Sequence, residues 1–302
     1  MKKSLLALVA LITMSADVFA DGLTATLQQG DKMTPFYGVD AFKDAYAAAD
    51  SGAVITLSPG TFNNVDSIKK SIAIIGTYAF NANDSKTTIL QKLVLCANNI
   101  HLEGIYISGN MVLDSTANCW IAKCWVEGML STTEEAHVNT VIDQCVVKND
   151  KAISKGINYC IKNSTIGQFY NTNTSKNVAF ITNSIVYSWS TKPYAIYKNN
   201  LLGGSGTVSC PSEFYYNLFS GQITYSNGCI HNGNLAGTSL GTTYYPGNPA
   251  NPGNGQDGTP RGPNGGTGFS EWPNIPRITE QTIDGNTDAN GKINVSIKVS
   301  VK

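Results

Sequence analysis

From Asn99 to Gly221 the chain repeats one pattern of apolar and polar positions at intervals of roughly twenty residues. Leu102, Ile121, Ile142, Ile161, Ile181, Tyr197 and Phe214 form one column. Five residues later Ile107, Val126, Val147, Ile166, Val186, Leu202 and Phe219 form another, and every member of both is apolar. The steps are 19, 21, 19, 20, 16 and 17 residues, too short for paired helices. Within each unit the apolar positions recur by twos in β-branched stretches, with Asn and Gly at the breaks. Each unit therefore predicts one coil of a parallel β-solenoid, with equivalent positions stacked about 4.8 Å apart. Asn99, Asn118, Asn139 and Asn158 stand at the start of four units and predict a structural ladder of side-chain amides, while Gly109, Gly128, Gly204 and Gly221 stand at the ends of units.

The flanks predict how such a stack is closed. Asp40 is placed to cap a helix with Phe42, Tyr46 and Ala49 on one face, and that helix would cover the open end of the first coil. Past the repeats, residues 241–276 hold 9 Gly, 7 Pro and 5 Asn, a composition that no regular element tolerates. The same segment carries Tyr244, Tyr245, Phe269 and Trp272, so it is expected to lie extended along the solenoid rather than act as a free linker. A cover is needed there. Two outward columns, Val141–Cys160–Phe180–Ile196 and Val146–Ile185–Leu201–Leu218, are also apolar, and strands apolar on both sides are normally covered on both. Finally Ile293, Val295, Ile297, Val299 and Val301 alternate with polar residues after Asn290-Gly291, a half-buried strand with Arg277–Ile283 as its hairpin partner.

These features resemble the right-handed parallel β-helix superfamily of pectate lyases, polygalacturonases and related polysaccharide enzymes. The resemblance covers the capping helix after Gly38, the strand Val54–Phe62 with its Pro59-Gly60 turn, the stretch Ser71–Gly76 and the coils themselves. It implies an all-β fold, a right-handed parallel β-helix; together with the readings of the flanks this divides the chain into 21–240 as β-helix and cap, 241–276 packed on the solenoid, and 277–302 as a C-terminal hairpin. It also implies chemistry on the outer face of the coils: clustered Asp residues in polygalacturonase-like members, and calcium-binding acids with an Arg or Lys base in pectate-lyase-like members.

Those catalytic groups are hard to find in this chain. Its only arginines, Arg261 and Arg277, lie outside the repeats. The outward acids of the repeat columns are Glu103, Glu127 and Asp143, and two of them face Lys148 and Lys162 one coil later, as cross-coil ion pairs would. One chemically varied patch remains: His101, Glu103, Tyr106, Trp120, Lys123, Trp125 and Glu127. Trp faces suit sugar rings, and a Lys or His beside a carboxylate could abstract a proton next to a uronate carboxyl group. The patch is thus a candidate glycan-binding site. Glu134, Glu135 and His137 read as a solvated loop.

Composition narrows the function class further. With 21 basic and 21 acidic residues the chain is not a nucleic-acid binder working by charge. Lys2 and Lys3, the apolar run Leu5–Met14 and Val18-Phe19-Ala20 predict a signal peptide, residues 1–20, cleaved after Ala20. That run is too short for a transmembrane segment. The expectation is an exported protein, periplasmic, cell-surface or secreted. The seven cysteines at 96, 119, 124, 145, 160, 210 and 229 show no metal-ligand spacing, and most read as small buried hydrophobes with free thiols. No cofactor is implied, with calcium relevant only to a lyase. The resulting expectation is a non-catalytic β-helix binding glycan or another surface partner; the alternative is a lyase or glycoside hydrolase acting on acidic polysaccharide.

Overall fold

The computed structural model describes residues 22–132, 139–148, 153–154, 159–170, 179–189, 194–208, 212–237, 240, 252–274, 276–283, 292 and 295–300. It is a parallel β-solenoid of about eight turns, with one helix among the described residues. The expected signal peptide at residues 1–20, the stretch 134–137, Asn158, Cys210, Tyr244 and Tyr245 lie outside the described residues. No described helix is long and apolar enough to cross a membrane.

The N-terminal end is closed by an antiparallel element as well as by a helix. Strand β1 (Thr24–Gln29) turns at Gly30 and pairs with β2 (Lys32–Tyr37), while its other edge pairs antiparallel with β3 (Val54–Leu57), the first strand of the stack. Pro35 sits in β2, the outer strand, where a missing N–H breaks no ladder. Helix α1 (Ala41–Ala48) buries Ala41, Phe42 and Ala45 against this cap. Its N-terminus differs from expectation. Asp40 makes no capping bond to the helix backbone; its carboxylate instead accepts from Asn63 Nδ2 at 2.9 Å and pairs with Lys43 at 3.2 Å. The C-terminal carbonyls are satisfied by Lys70, whose ammonium donates to the oxygens of Tyr46, Ala47 and Ala49.

From β3 onward, three parallel sheets run up the stack. In the first, the register Leu102↔Ile121↔Ile142↔Ile161↔Ile181↔Tyr197↔Phe214 reproduces the sequence column. In the second, Ile107↔Val126↔Val147↔Ile166↔Val186↔Leu202↔Phe219 does the same. A third sheet contains Met111↔Leu130↔Ile153↔Phe169↔Trp189. The members of these columns whose side chains are described are almost wholly buried in one core, except Trp189, which packs partly buried against it.

One residue makes the corner between the first and second sheets, and the backbone there is left-handed in coil after coil. Gly104, Lys123, Gln144, Asn163, Asn183, Asn199, Tyr216 and Gly233 all have φ between 46° and 68°. For a residue with a Cβ other than Asn or Asp this costs roughly 1–2 kcal/mol, so Gly and Asn supply five of the eight positions. The next residue points inward and its side chain accepts the amide of the coil before. Cys124 N donates to Cys145 Sγ, Cys145 N to Ser164 Oγ, Ser164 N to Ser184 Oγ, and Ser184 N to Asn200 Oδ1. Asn200, Asn217 and Asn234 continue this as a buried amide ladder. At the anticipated ladder, Asn99, Asn118 and Asn139 are also left-handed, and Asn139 Nδ2 donates to Asn118 Oδ1 at 3.3 Å.

Residues 252–274 form a strap along the corners. Arg261, buried, donates to the carbonyl of Tyr216; Gln256 N bonds Asn199 Oδ1; Asn163 Nδ2 donates to the carbonyls of Pro263 and Gly265; Ser270 N bonds Gln144 Oε1. The strap thus runs back toward the N-terminal coils. Its Phe269 and Trp272 pack with Tyr78, Phe80, Tyr106 and Val146. The outward column Val146, Ile185, Leu201 and Leu218 is buried, the last three beside Tyr187 and Leu240. The other outward column is not covered as expected: Phe180 is 43% exposed, with Val141, Cys160 and Ile196 half-buried. At the C-terminus, Arg277–Ile283 and Val295–Ser300 form the expected antiparallel hairpin, with a bulge between Ile278 and Glu280.

Five cysteines, 96, 119, 124, 145 and 160, are free thiols. Cys229 is disulfide-bonded and stands apart from that free set.

Candidate functional site

The seven residues singled out from the sequence all lie on two adjacent coils, and the structure divides them into three settings. The register Trp120↔His101, Ala122↔Glu103 and Trp125↔Tyr106 brings the coils together.

His101 and Trp120 face outward from the first sheet. Their rings stack at 4.8 Å with 7° between planes, and Trp120 remains 42% exposed. Trp120 heads the outward column that continues through Val141, Cys160 and Phe180, so an aromatic, partly apolar stripe lies open along the first sheet.

Glu103 and Lys123 lie inside, at the corner, under the end of the strap. Their side chains are 6% and 4% exposed, and Lys123 Nζ is 3.6 Å from Glu103 Oε1. Asn274 closes the group: its backbone N–H donates to Glu103 Oε1 at 2.7 Å, and its Oδ1 accepts from Lys123 Nζ at 2.7 Å. His101 Nε2 is 3.3 Å from Glu103 Oε2. Burial pushes the Glu103 carboxyl up, but His101, the Asn274 amide and Lys123 outweigh it and hold the group below its ordinary range. Neither charged group is open to a polysaccharide.

Tyr106, Trp125 and Glu127 belong to the second sheet and to the aromatic cluster beneath the strap. Tyr106 and Trp125 stack at 6.2 Å, and Trp125 also meets Phe80 edge-on. Trp125 Nε1 donates to Glu127 Oε2, and Lys148 pairs with the other oxygen, both at 2.9 Å. Burial raises the Tyr106 hydroxyl to about 12, helped by the neighbouring Glu127 carboxylate. The second expected ion pair, Asp143 with Lys162, is also present at 2.9 Å.

Sequence reasoning missed Asn274, Tyr78 and Glu271, which complete these contacts. Tyr78 packs on Trp272 at 4.8 Å and donates its hydroxyl hydrogen to Glu271. No periodic signal links residues so distant along the chain. Among the described residues no group of three or more His, Cys, Asp or Glu could hold a metal ion.

By fold the chain is a parallel β-solenoid with a capped N-terminal end and a strapped corner. In comparisons with known proteins, no family model, curated protein or solved structure matches it.

Proposed function

We propose that this is an exported, non-catalytic member of the pectate-lyase-like β-helix superfamily that binds glycan on the outer face of its first sheet. The observation that carries this reading is the exposed Trp120 ring stacked on His101. Phe180, also exposed, stands three coils further along the same column. Three inter-strand spacings separate them by about 14 Å, so a chain of sugars lying along the stack would meet an aromatic face at each end. Aromatic faces bind the apolar C–H faces of sugar rings, and a stripe of aromatic and apolar side chains suits a ligand held by stacking.

This reading moves the binding residues from the anticipated set of seven to Trp120 and His101 within it, and adds Phe180. The lyase alternative would need Lys123 or His101 as base; the Lys123 ammonium is held by Glu103 and Asn274 under the strap, while His101, 3.3 Å from Glu103, is the group left to serve it. The test is titration of polyuronide and glycosaminoglycan oligosaccharides into the protein, followed by tryptophan fluorescence and calorimetry. Trp120→Ala and Phe180→Ala are each expected to weaken binding by about tenfold or more, as for a buried aromatic anchor. Unchanged affinity in the double variant would rule the stripe out. Release of unsaturated uronides by the wild-type protein would establish the lyase instead.

A further inference from the structure

Lys123 and Asn274 meet across the seam between solenoid and strap, with Glu103 touching both. The ammonium of Lys123 is 2.7 Å from Asn274 Oδ1, and Glu103 Oε1 is 3.6 Å from that ammonium and 2.7 Å from the Asn274 backbone nitrogen. The Lys123 and Glu103 side chains are almost wholly buried. Pro273 seats the strap directly over Gly104, where a Cβ would come within 2.2 Å of the proline ring. Arg261, buried further along the strap, anchors its other half to Tyr216. A desolvated amine, a carboxamide in contact with it and a carboxylate able to carry protons between them are the components of amide exchange.

We propose that Lys123 and Asn274 become joined by an intramolecular isopeptide bond, with Glu103 as the catalytic proton carrier, so that the strap is covalently fixed to the solenoid. Glu103 first takes a proton from the Lys123 ammonium, leaving a neutral amine. Lys123 Nζ then attacks Cγ of Asn274, whose carbonyl oxygen it already touches. As the tetrahedral adduct collapses, the Cγ–Nδ2 bond breaks, the second amine proton passes to Nδ2, and the leaving ammonia takes the proton held by Glu103. The products are one secondary amide and one ammonium ion, with Glu103 returned to its carboxylate. No oxidant, metal or other reactant is required. The reaction also removes a buried cation, since holding charge out of water is costly even when it is paired.

The intact mass of the full-length protein, purified folded and then reduced and denatured, decides the matter. It is expected to fall below the mass of its own sequence by one ammonia. Digestion should yield a branched peptide linking Lys123 to position 274. Lys123→Arg and Glu103→Gln, each with the circular dichroism of the parent, should show the full sequence mass and no branched peptide. A wild-type protein at full sequence mass overturns the proposal. A deficit that survives in Lys123→Arg places the ammonia loss elsewhere and overturns it equally. Persistence of the branched peptide in Glu103→Gln overturns the role given to Glu103.

Discussion

Asn217 stands in the middle of the buried amide ladder, where its side chain takes part in four hydrogen bonds. It donates to Tyr197 O and Asn234 Oδ1, and accepts from the backbone and side-chain nitrogens of Asn200. An apolar replacement of similar size would orphan several buried polar groups at once, at roughly 1–3 kcal/mol each. Asn217→Leu is therefore expected to lower unfolding free energy by about 3 kcal/mol or more, measured by urea denaturation. Asn139→Gly should cost less than about 1 kcal/mol, because that side chain is exposed and glycine suits its φ of 61°. Equal midpoints for the two variants would refute the distinction. Both ladders consist of Asn, and the earlier one is the more conspicuous as a column of letters. The inner one is broken in sequence by Ser184, Ser164 and Cys145, which accept the equivalent backbone proton with different atoms.

The strap depends on the corners as an element, and the corners were in principle legible. Each lies two residues after the inward apolar column, from Leu102 and Gly104 to Phe214 and Tyr216. Mixed residue types at these positions hide a shared backbone conformation. What no pattern conveys is that residues 252–274 return along the same row, from Asn199 and Tyr216 at one end to Gly104 at the other. Gly104 is the most exacting contact, since a methyl group there would collide with Pro273 and meet the carbonyl of Gly76 at 3.0 Å, at a φ of 68°. Gly104→Ala is expected to lift the end of the strap while leaving the coils paired. Limited proteolysis should then cut residues 252–274 several-fold faster than in the parent, with far-ultraviolet dichroism unchanged. Equal cleavage rates would show that the strap is not seated by this contact.

At the scale of the molecule the two ends of the stack differ. The N-terminal end is closed by β1, β2 and α1 over β3. The last described coil, Ile230–Asn232 and Leu235–Ala236, pairs on one side with the coil before it, and its Ile230 and Leu235 are exposed. In a stacked-repeat protein stability is carried by nearest neighbours, so a coil with one partner among the described residues and its apolar side chains exposed frays first. Hydrogen exchange should therefore be fast across residues 230–236 and slowest across the central coils around Ile142, Ile161 and Ile181. Uniform protection along the stack would contradict this.

The coil, its length and its inward columns follow from the sequence by itself, because each depends on a local period of two within a longer period of about twenty. The C-terminal hairpin follows likewise from strict alternation. The tertiary structure alone decided which outward column is covered, which of two Asn rows is buried, and that Glu103 and Lys123 lie under Asn274 while Trp120 stays at the surface. The first two follow from how stacked coils pack side by side, and the last from where an aperiodic segment rich in Gly and Pro comes to rest, set by contacts between residues a hundred or more positions apart.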